Sequence, residues 1–265
     1  IKDCVISGNR ASVAGGGILV RNSLTNDIES DVVIINCRIE NNKADDTHNL
    51  TCGGGIAVTR GGVATVICCM VVGNKVGQSS AGDGGGLFCR NNSYVWLGNC
   101  LIADNRADNG SGGGLHAHNG AHIEAVNCTI AYNSSGSGAV SIHLNNATAN
   151  VTNCIVWTDT GETQISNSGA TVNYSCVEGG WPGGSGNIGA NVGEEPRFVD
   201  PFSENYHLLD GTKCKDAGDN SVVKWDKDLD GRRRIWRTVD MGCYEGEWLV
   251  TPDDFSDISL SLIHI

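Results

Sequence analysis

The sequence predicts an all-β chain wound as a parallel β-helix solenoid, and three recurrences predict it. A cysteine with an apolar residue two positions later returns as Cys4/Ile6, Cys37/Ile39, Cys69/Val71, Cys100/Ile102, Cys128/Ile130 and Cys154/Val156, and Cys176 continues the series. A glycine triplet followed by a short apolar run returns at Gly15, Gly53, Gly84 and Gly112. Asparagine returns just before the cysteine (Asn36, Asn99, Asn127, Asn153) and five residues after it (Asn9, Asn42, Asn74, Asn105, Asn133). Repeats of 33 residues (Cys4 to Cys37) shortening to 22 (Cys154 to Cys176), without helical periodicity, fit one coil per repeat.

Each element follows from this. Side chains alternate along a strand, so each cysteine and its apolar partner point inward together. The glycines mark a tight bend, where positive φ and close backbone approach are tolerated. From Ile56 to Cys69, Leu87 to Cys100 and Leu115 to Cys128 the interval is constant, whereas Ile18 to Cys37 is longer, which places an inserted loop at Asn26–Asp31. Coils spaced at about 4.8 Å stack equivalent residues into columns, and both asparagine columns are expected to form amide ladders. Cysteines stacked at that spacing lie too far apart for a disulfide, so they are expected to be buried free thiols. No CxxC spacing supports zinc.

The composition excludes other classes. The 265 residues include 37 Gly without a collagen period and enough apolar residues to form a core. No apolar run reaches about 18 residues, so no membrane insertion is expected. A net charge of −12 argues against nucleic acid or anionic lipid as partner. The first residues already lie inside the repeat without a signal-peptide pattern, so the chain reads as a fragment or processed product.

After Cys176 the character changes. Residues 1–178 are the solenoid, 179–193 a Gly-rich connection, 194–248 a capping region, and 249–265 a tail outside the fold, ending in Ser261–Ile265, which resembles translated sequencing-adapter sequence. The blocks Glu195-Pro196-Arg197-Phe198-Val199-Asp200-Pro201, Asp216-Ala217-Gly218-Asp219, Asp228-Leu229-Asp230-Gly231 and Val239-Asp240-Met241-Gly242-Cys243-Tyr244-Glu245 resemble the end of secreted bacterial right-handed parallel β-helix proteins. These are of the choice-of-anchor Q type, related to polymorphic outer-membrane proteins and pectin-lyase-like in fold. The resemblance covers nearly the whole chain, with Lys213 and Cys243 as departures, and implies a right-handed solenoid that is secreted or displayed at the cell surface. The capping region is then expected to close the open solenoid end. Within it, a Cys214–Cys243 bridge and two free thiols stand as alternatives.

On the strand after each glycine bend the outward positions form two columns, read as Leu19, Ala57, Phe88, His116 and Ser141, and as Arg21, Thr59, Arg90, His118 and His143. Arg90, His118 and His143 are the candidate catalytic residues: a cation to neutralise a sugar carboxylate and imidazoles to take a proton. Arg21, Phe88 and His116 on this stripe, and Trp96, read as pointing outward beside Thr65 and Glu124, are the candidate ligand contacts; solvated surface is the bland reading of the stripe, and packing under loops that of Trp96. Glycoside hydrolysis is disfavoured because it needs two carboxylates about 5–9 Å apart, and the outward strand positions supply few. A second stripe, Arg10, Lys43, Lys75 and Arg106, is read as a solvated turn or a hold for an acidic glycan, with Asp45 and Asp108 placed to compensate it. Asp226, Asp228 and Asp230 alternate before Gly231 as in calcium loops, but Arg237 stands where the bidentate acid belongs. A weak Ca2+ site and an Asp-rich turn are the two readings, and no other cofactor is expected.

The sequence therefore points to a right-handed parallel β-helix of about seven coils, monomeric and extracellular. Its expected role is a scaffold or adhesin-like module contacting extracellular polysaccharide or a cell-surface glycan. The enzyme alternative is a polysaccharide lyase acting on an acidic glycan along the Arg90, His118 and His143 stripe. A lyase should show a groove walled by loops over that stripe, and a scaffold should leave it flat.

Overall fold

The computed structural model describes residues 1–23, 30–45, 52–77, 82–166 and 169–246. The chain winds as a parallel β-solenoid with four sheet faces. The cysteine face has seven strands: Val5–Ser7, Arg38–Glu40, Met70–Val72, Leu101–Ala103, Thr129–Ala131, Ile155–Trp157 and Cys176–Val177. A corner face of two-residue strands follows, from Arg10–Ala11 to Ser134–Ser135. The glycine face holds Ile18–Arg21, Ile56–Thr59, Leu87–Arg90, Leu115–His118 and Ile142–Asn145. The fourth face has six strands, from Asp31–Ile35 to Ala170–Asn173. Five coils carry all four strands. The expected seven occur on the cysteine face alone: among the described residues the corner face ends at Ser134–Ser135, and the glycine face continues past Ile142–Asn145 only as the single bridge Ile142–Ile165. The inserted loop at Asn26–Asp31 and the tail fall mostly outside the described residues.

The register stacks equivalent positions as the repeat requires: Cys100 Sγ lies near the coil above and the coil below, and Ile102 pairs with Val71 and Ile130. Cys37, Cys69, Cys100, Cys128, Cys154 and Cys176 are buried in the solenoid interior or at its wall, and none of the twelve cysteines forms a disulfide. The thiols of Cys37, Cys69, Cys100, Cys128 and Cys154 each donate back to the carbonyl two residues earlier, as Cys100 Sγ does to Gly98 O at 3.2 Å, whereas Cys176 Sγ donates to Glu194 O at 3.3 Å. Burial pushes the Cys89 thiol up to about 12 and drives Cys100 and Cys128 well above the ordinary thiol range, so these groups stay protonated and unreactive.

The asparagines after the cysteines form an internal ladder. Asn42 Nδ2 donates to Asn74 Oδ1, Asn74 to Asn105 and Asn105 to Asn133, each at 3.0 Å. Each side-chain oxygen also accepts the backbone N–H of the asparagine one coil before, and the second amide hydrogen goes to a strand carbonyl such as Ile39 O at 2.8 Å. Asn42, Asn74 and Asn105 are fully buried with their amides paired on both sides, so turn groups that no strand can pair are satisfied from within.

The other asparagine column does something else. Asn36, Asn99, Asn127 and Asn153 hold φ between +49° and +55°, where Asn is tolerated and most residues are not. Instead of laddering, Asn99 Nδ2 donates to Lys227 O (2.8 Å) and Asn153 Nδ2 to Asp219 O (2.9 Å). The expectation of two amide ladders is thus corrected to one ladder and a column in which Asn99 and Asn153 clamp the C-terminal segment, while Asn36 Nδ2 donates to Asp3 Oδ1 one coil before at 2.7 Å.

That segment is not chiefly an end plug. The open end is covered by the Gly-rich connection: Ile188 bridges Cys176, and Trp181 packs against the interior cluster. Residues 194–246 run back along the outside of the cysteine face as a strap. The outward side chains there are apolar in the middle coils, and Leu101, Ala103, Ala131 and Ile155 pack under Phe198, Tyr206, Leu208, Met241 and Tyr244. Polar clamps run from Arg38–Glu204 (2.7 Å) through Tyr206–Asp104 (2.9 Å) to Asn153–Asp219. The terminal blocks of the sequence fold the strap onto itself. The fully buried Arg234 donates to Asp240 O and Gly242 O, and Asp228 accepts from the N–H groups of Arg232 and Glu245. Cys214 and Cys243 are both free; the Cys214 thiol is hydrogen-bonded to Cys176, while the Cys243 N–H donates to Thr129 Oγ1 at 3.1 Å, so the bridge alternative does not hold.

Replacing Asn74 by Ala leaves buried partners unpaired on two coils, each worth about 1–3 kcal/mol. Urea unfolding is expected to show a loss of at least about 3 kcal/mol. Asn119→Gly, which removes the exposed Asn119–Asn91 contact and keeps the left-handed backbone, should cost under about 1 kcal/mol; equal losses would contradict the buried ladder. Thiol titration without reductant should count one fast-reacting group in the native protein, the exposed Cys4, with half-buried Cys68 slow because burial pushes its thiol up to about 11, and twelve after unfolding.

Candidate functional site

The glycine-face stripe comes from short strands launched by each glycine bend. The bend admits no side chain: a Cβ on Gly85 would lie 2.5 Å from Arg106 N and Gly113 O, both backbone atoms. The backbone is therefore held tightly just before Leu87–Arg90, which fixes where Phe88 and Arg90 emerge.

The register gives one column of Leu19, Ala57, Phe88, His116 and His143 and another of Arg21, Thr59, Arg90, His118 and Asn145. His143 thus belongs beside His116 rather than above His118, and Ser141 sits in the bend, its carbonyl accepting from Leu115 N. The fifth coil lacks the glycine triplet that anchors the alignment in the others, and Ile142 rather than a glycine sets its phase.

The first column is sealed in its middle. Phe88 and His116 are each 3% exposed, whereas Leu19 at one end is exposed. The His116 ring lies 5.2 Å from Phe88, 5.0 Å from His143 and 6.2 Å from His118. Its Nδ1 is 3.3 Å from Ser111 O and 3.5 Å from Asp83 Oδ1, and its buried Nε2 has no partner. Burial, opposed by Asp83 and reinforced by the neighbouring histidines, holds the His116 pKa down to about 4, and burial also lowers His143. Both rings are neutral at neutral pH. His143 Nδ1 accepts from Ala139 N at 3.3 Å. Arg90 is half-buried, its guanidinium 5.8 Å from the Phe88 ring and its Nε unpartnered, and it stands directly beside half-buried His118. Of the expected catalytic trio, Arg90 and His118 meet, and His143 lies in the neighbouring column.

The other expected contacts are scattered. Arg21 is exposed at the first coil. Trp96 pairs in register with Thr65 and Glu124, yet it is 6% exposed because Trp225 of the strap stacks on it at 4.4 Å and Lys224 sits 5.0 Å from its ring. Phe88, Trp96 and His116 are therefore packing residues. Sequence reading left burial under loops open for Trp96 and could not see which strap residue would cover it.

The aspartates of the calcium-like run diverge. The Asp228 carboxylate is buried and occupied by two backbone N–H groups, Asp230 pairs with His207 at 2.7 Å, and Asp226 is exposed. Among the described residues no cluster of three His, Cys, Asp or Glu could hold a metal. The basic stripe is compensated within the fold: Asp45 pairs with Arg10 and Lys43, and Asp108 with Lys75 and Arg106, each carboxylate bridging two coils. No residue run announced a further group on the fourth face. There Tyr94 stacks on His122 at 5.4 Å and donates to Glu124 at 2.7 Å; only the register places those three side by side.

No family model and no curated protein matches this chain. Among solved structures, the crystal structure of pectate lyase Pel9A superposes with a TM-score of 0.46 at 11% identity, over 93% of this chain and 70% of that one. The assignment to the parallel β-solenoids rests on the strand register above.

The depressed His116 pKa ties stability to pH. The unfolded ring takes up a proton near its ordinary value of about 6.5 while the folded ring stays neutral to about 4, so stability present above that ordinary value is lost as pH falls toward 4. His116→Phe is expected to flatten the decline in Tm between pH 7 and 4, leaving the smaller part due to His143. A decline as steep as in the parent chain would contradict the sealed, neutral ring.

Proposed function

We propose that this chain is an extracellular, cell-surface β-solenoid scaffold that contacts polysaccharide and does not cleave it. The observation that carries the reading is the sealed middle of the glycine-face stripe. A lyase needs a base and a carboxylate-neutralising group facing one open groove. Here His116 is sealed, His143 lies in the column next to His118, and only Arg90 and His118 adjoin at a half-open edge. Glycoside hydrolysis finds no better footing on this face, because Asp83 accepts from Ser111 N and faces the buried His116.

Scaffold use fits the rest of the chain. Side chains recurring at about 4.8 Å present a regular surface to an extended polymer. The interior thiols are buried and held protonated, so an oxidising exterior has little to act on. Display outside the cell is what the resemblance of the terminal blocks implies. Arg90 and His118 keep the lyase reading alive as a testable second reading, because they are the one adjacent cation–imidazole pair on the stripe.

Incubation with a panel of uronate polymers is expected to give no rise in ultraviolet absorbance from unsaturated products, while affinity electrophoresis shows retardation in at least one polysaccharide gel. An absorbance rise that disappears in His118→Ala would replace the scaffold reading with the lyase one.

A further inference from the structure

We propose that a pocket at the junction of the solenoid flank and the start of the strap binds a neutral hexopyranose unit of a polysaccharide. The proposal rests on the polysaccharide reading above and names both the place and the sugar class.

The pocket, of about 290 Å3, is lined by Tyr132, Trp157, Asp159, Glu195, Arg197 and Phe198. That volume is near the lower end for small-molecule sites and suits a single ring-sized unit. Its apolar wall is the half-buried Tyr132 ring, backed 6.3 Å away by the largely buried Phe198, and a flat ring of this kind covers the C–H face of a pyranose. Its polar edge is built and oriented. Asp159 accepts the Tyr132 hydroxyl at 2.9 Å and Trp157 Nε1 at 2.5 Å. These bonds fix the carboxylate and leave it lone pairs for vicinal hydroxyls. Asp159 and Arg197, which both hold left-handed backbone at φ 61° and 52°, both line the pocket. One guanidinium nitrogen of Arg197 donates to Asp210 O at 3.2 Å, leaving further N–H groups for a ligand oxygen.

Phe202 supplies an independent pointer. It stands 93% exposed on the short turn Pro201–Ser203, with its ring 6.0 Å from Tyr132 at the pocket rim. An aromatic ring left in water beside an aromatic pocket is a surface for a second sugar ring of the same chain.

Charge selects the sugar class. Asp159, Glu195 and the nearby Glu178 outweigh Arg197, so a uronate is repelled while neutral hydroxyls are accepted. This separates the pocket from the Arg90–His118 edge, which would prefer an acidic glycan.

The test is calorimetric titration of the intact chain with cello-, manno- and galacto-oligosaccharides, and with oligogalacturonate, alongside Phe202→Ala and Asp159→Ala. Both side chains are exposed, and an unchanged Tm verifies folding. Binding of a neutral oligosaccharide is expected, weakened about three- to tenfold by Phe202→Ala and about ten- to hundredfold by Asp159→Ala. Binding of oligogalacturonate alone, unaffected by either substitution, overturns the pocket and leaves the polysaccharide reading standing. A neutral sugar bound equally well by both variants also overturns the pocket. If no saccharide binds, both fall.

Discussion

The whole architecture depends on the buried amide ladder that runs through the corner of each coil. A solenoid must turn its backbone four times per coil, and at a turn the strand ladder lapses. In this chain Asn42, Asn74, Asn105 and Asn133 carry the lapse, because an amide has both a donor pair and an acceptor and can bond up, down and sideways at once. That continuity fixes coil against coil. The glycine bends close on the corner strands with no room for a Cβ, and the interior fills with stacked Ile, Val, Leu and Cys. The cysteines fit this scheme as small apolar groups whose thiols bond to a nearby carbonyl.

A second constraint follows from the first. The middle strands of the cysteine face are apolar on both sides, so the solenoid cannot end with its last coil; its flank needs a lid. The strap answers this with Phe198, Tyr206, Met241 and Tyr244, and it is held in place by the left-handed asparagines on the solenoid side and by the buried Arg234 on its own. Asn99 and Asn153 thus belong to two systems at once: their backbone turns the coil and their amides hold the strap. The junction that results is also where aromatic side chains from both parts leave an open pocket.

How far the site was legible can be judged residue by residue. Arg90 and His118 were placed side by side by counting from the glycine bends, and the register agrees. His143 was misplaced by two residues because its coil has no glycine triplet from which to count. The outward direction of Phe88, Trp96 and His116 was legible, but their burial was not. A strand position pointing outward is exposed or covered according to what the rest of the chain lays upon it, and for Trp96 that is Trp225, more than a hundred residues later. The pairing of Asp45 and Asp108 with the basic stripe was readable, since both partners lie within two positions of one column.

The sequence by itself determined the coil: its period, its inward cysteines, its ladder of asparagines and its parallel stacking, all of which are local patterns repeated until chance is excluded. Tertiary structure alone decided which outward surfaces meet water, since the strap's path along the flank, the divergence of Asp226, Asp228 and Asp230, and the meeting of Tyr132, Trp157 and Phe198 each join segments that share no repeat. Periodicity encodes contacts between equivalent positions, and a contact between a repeat and a non-repeat leaves no period to read.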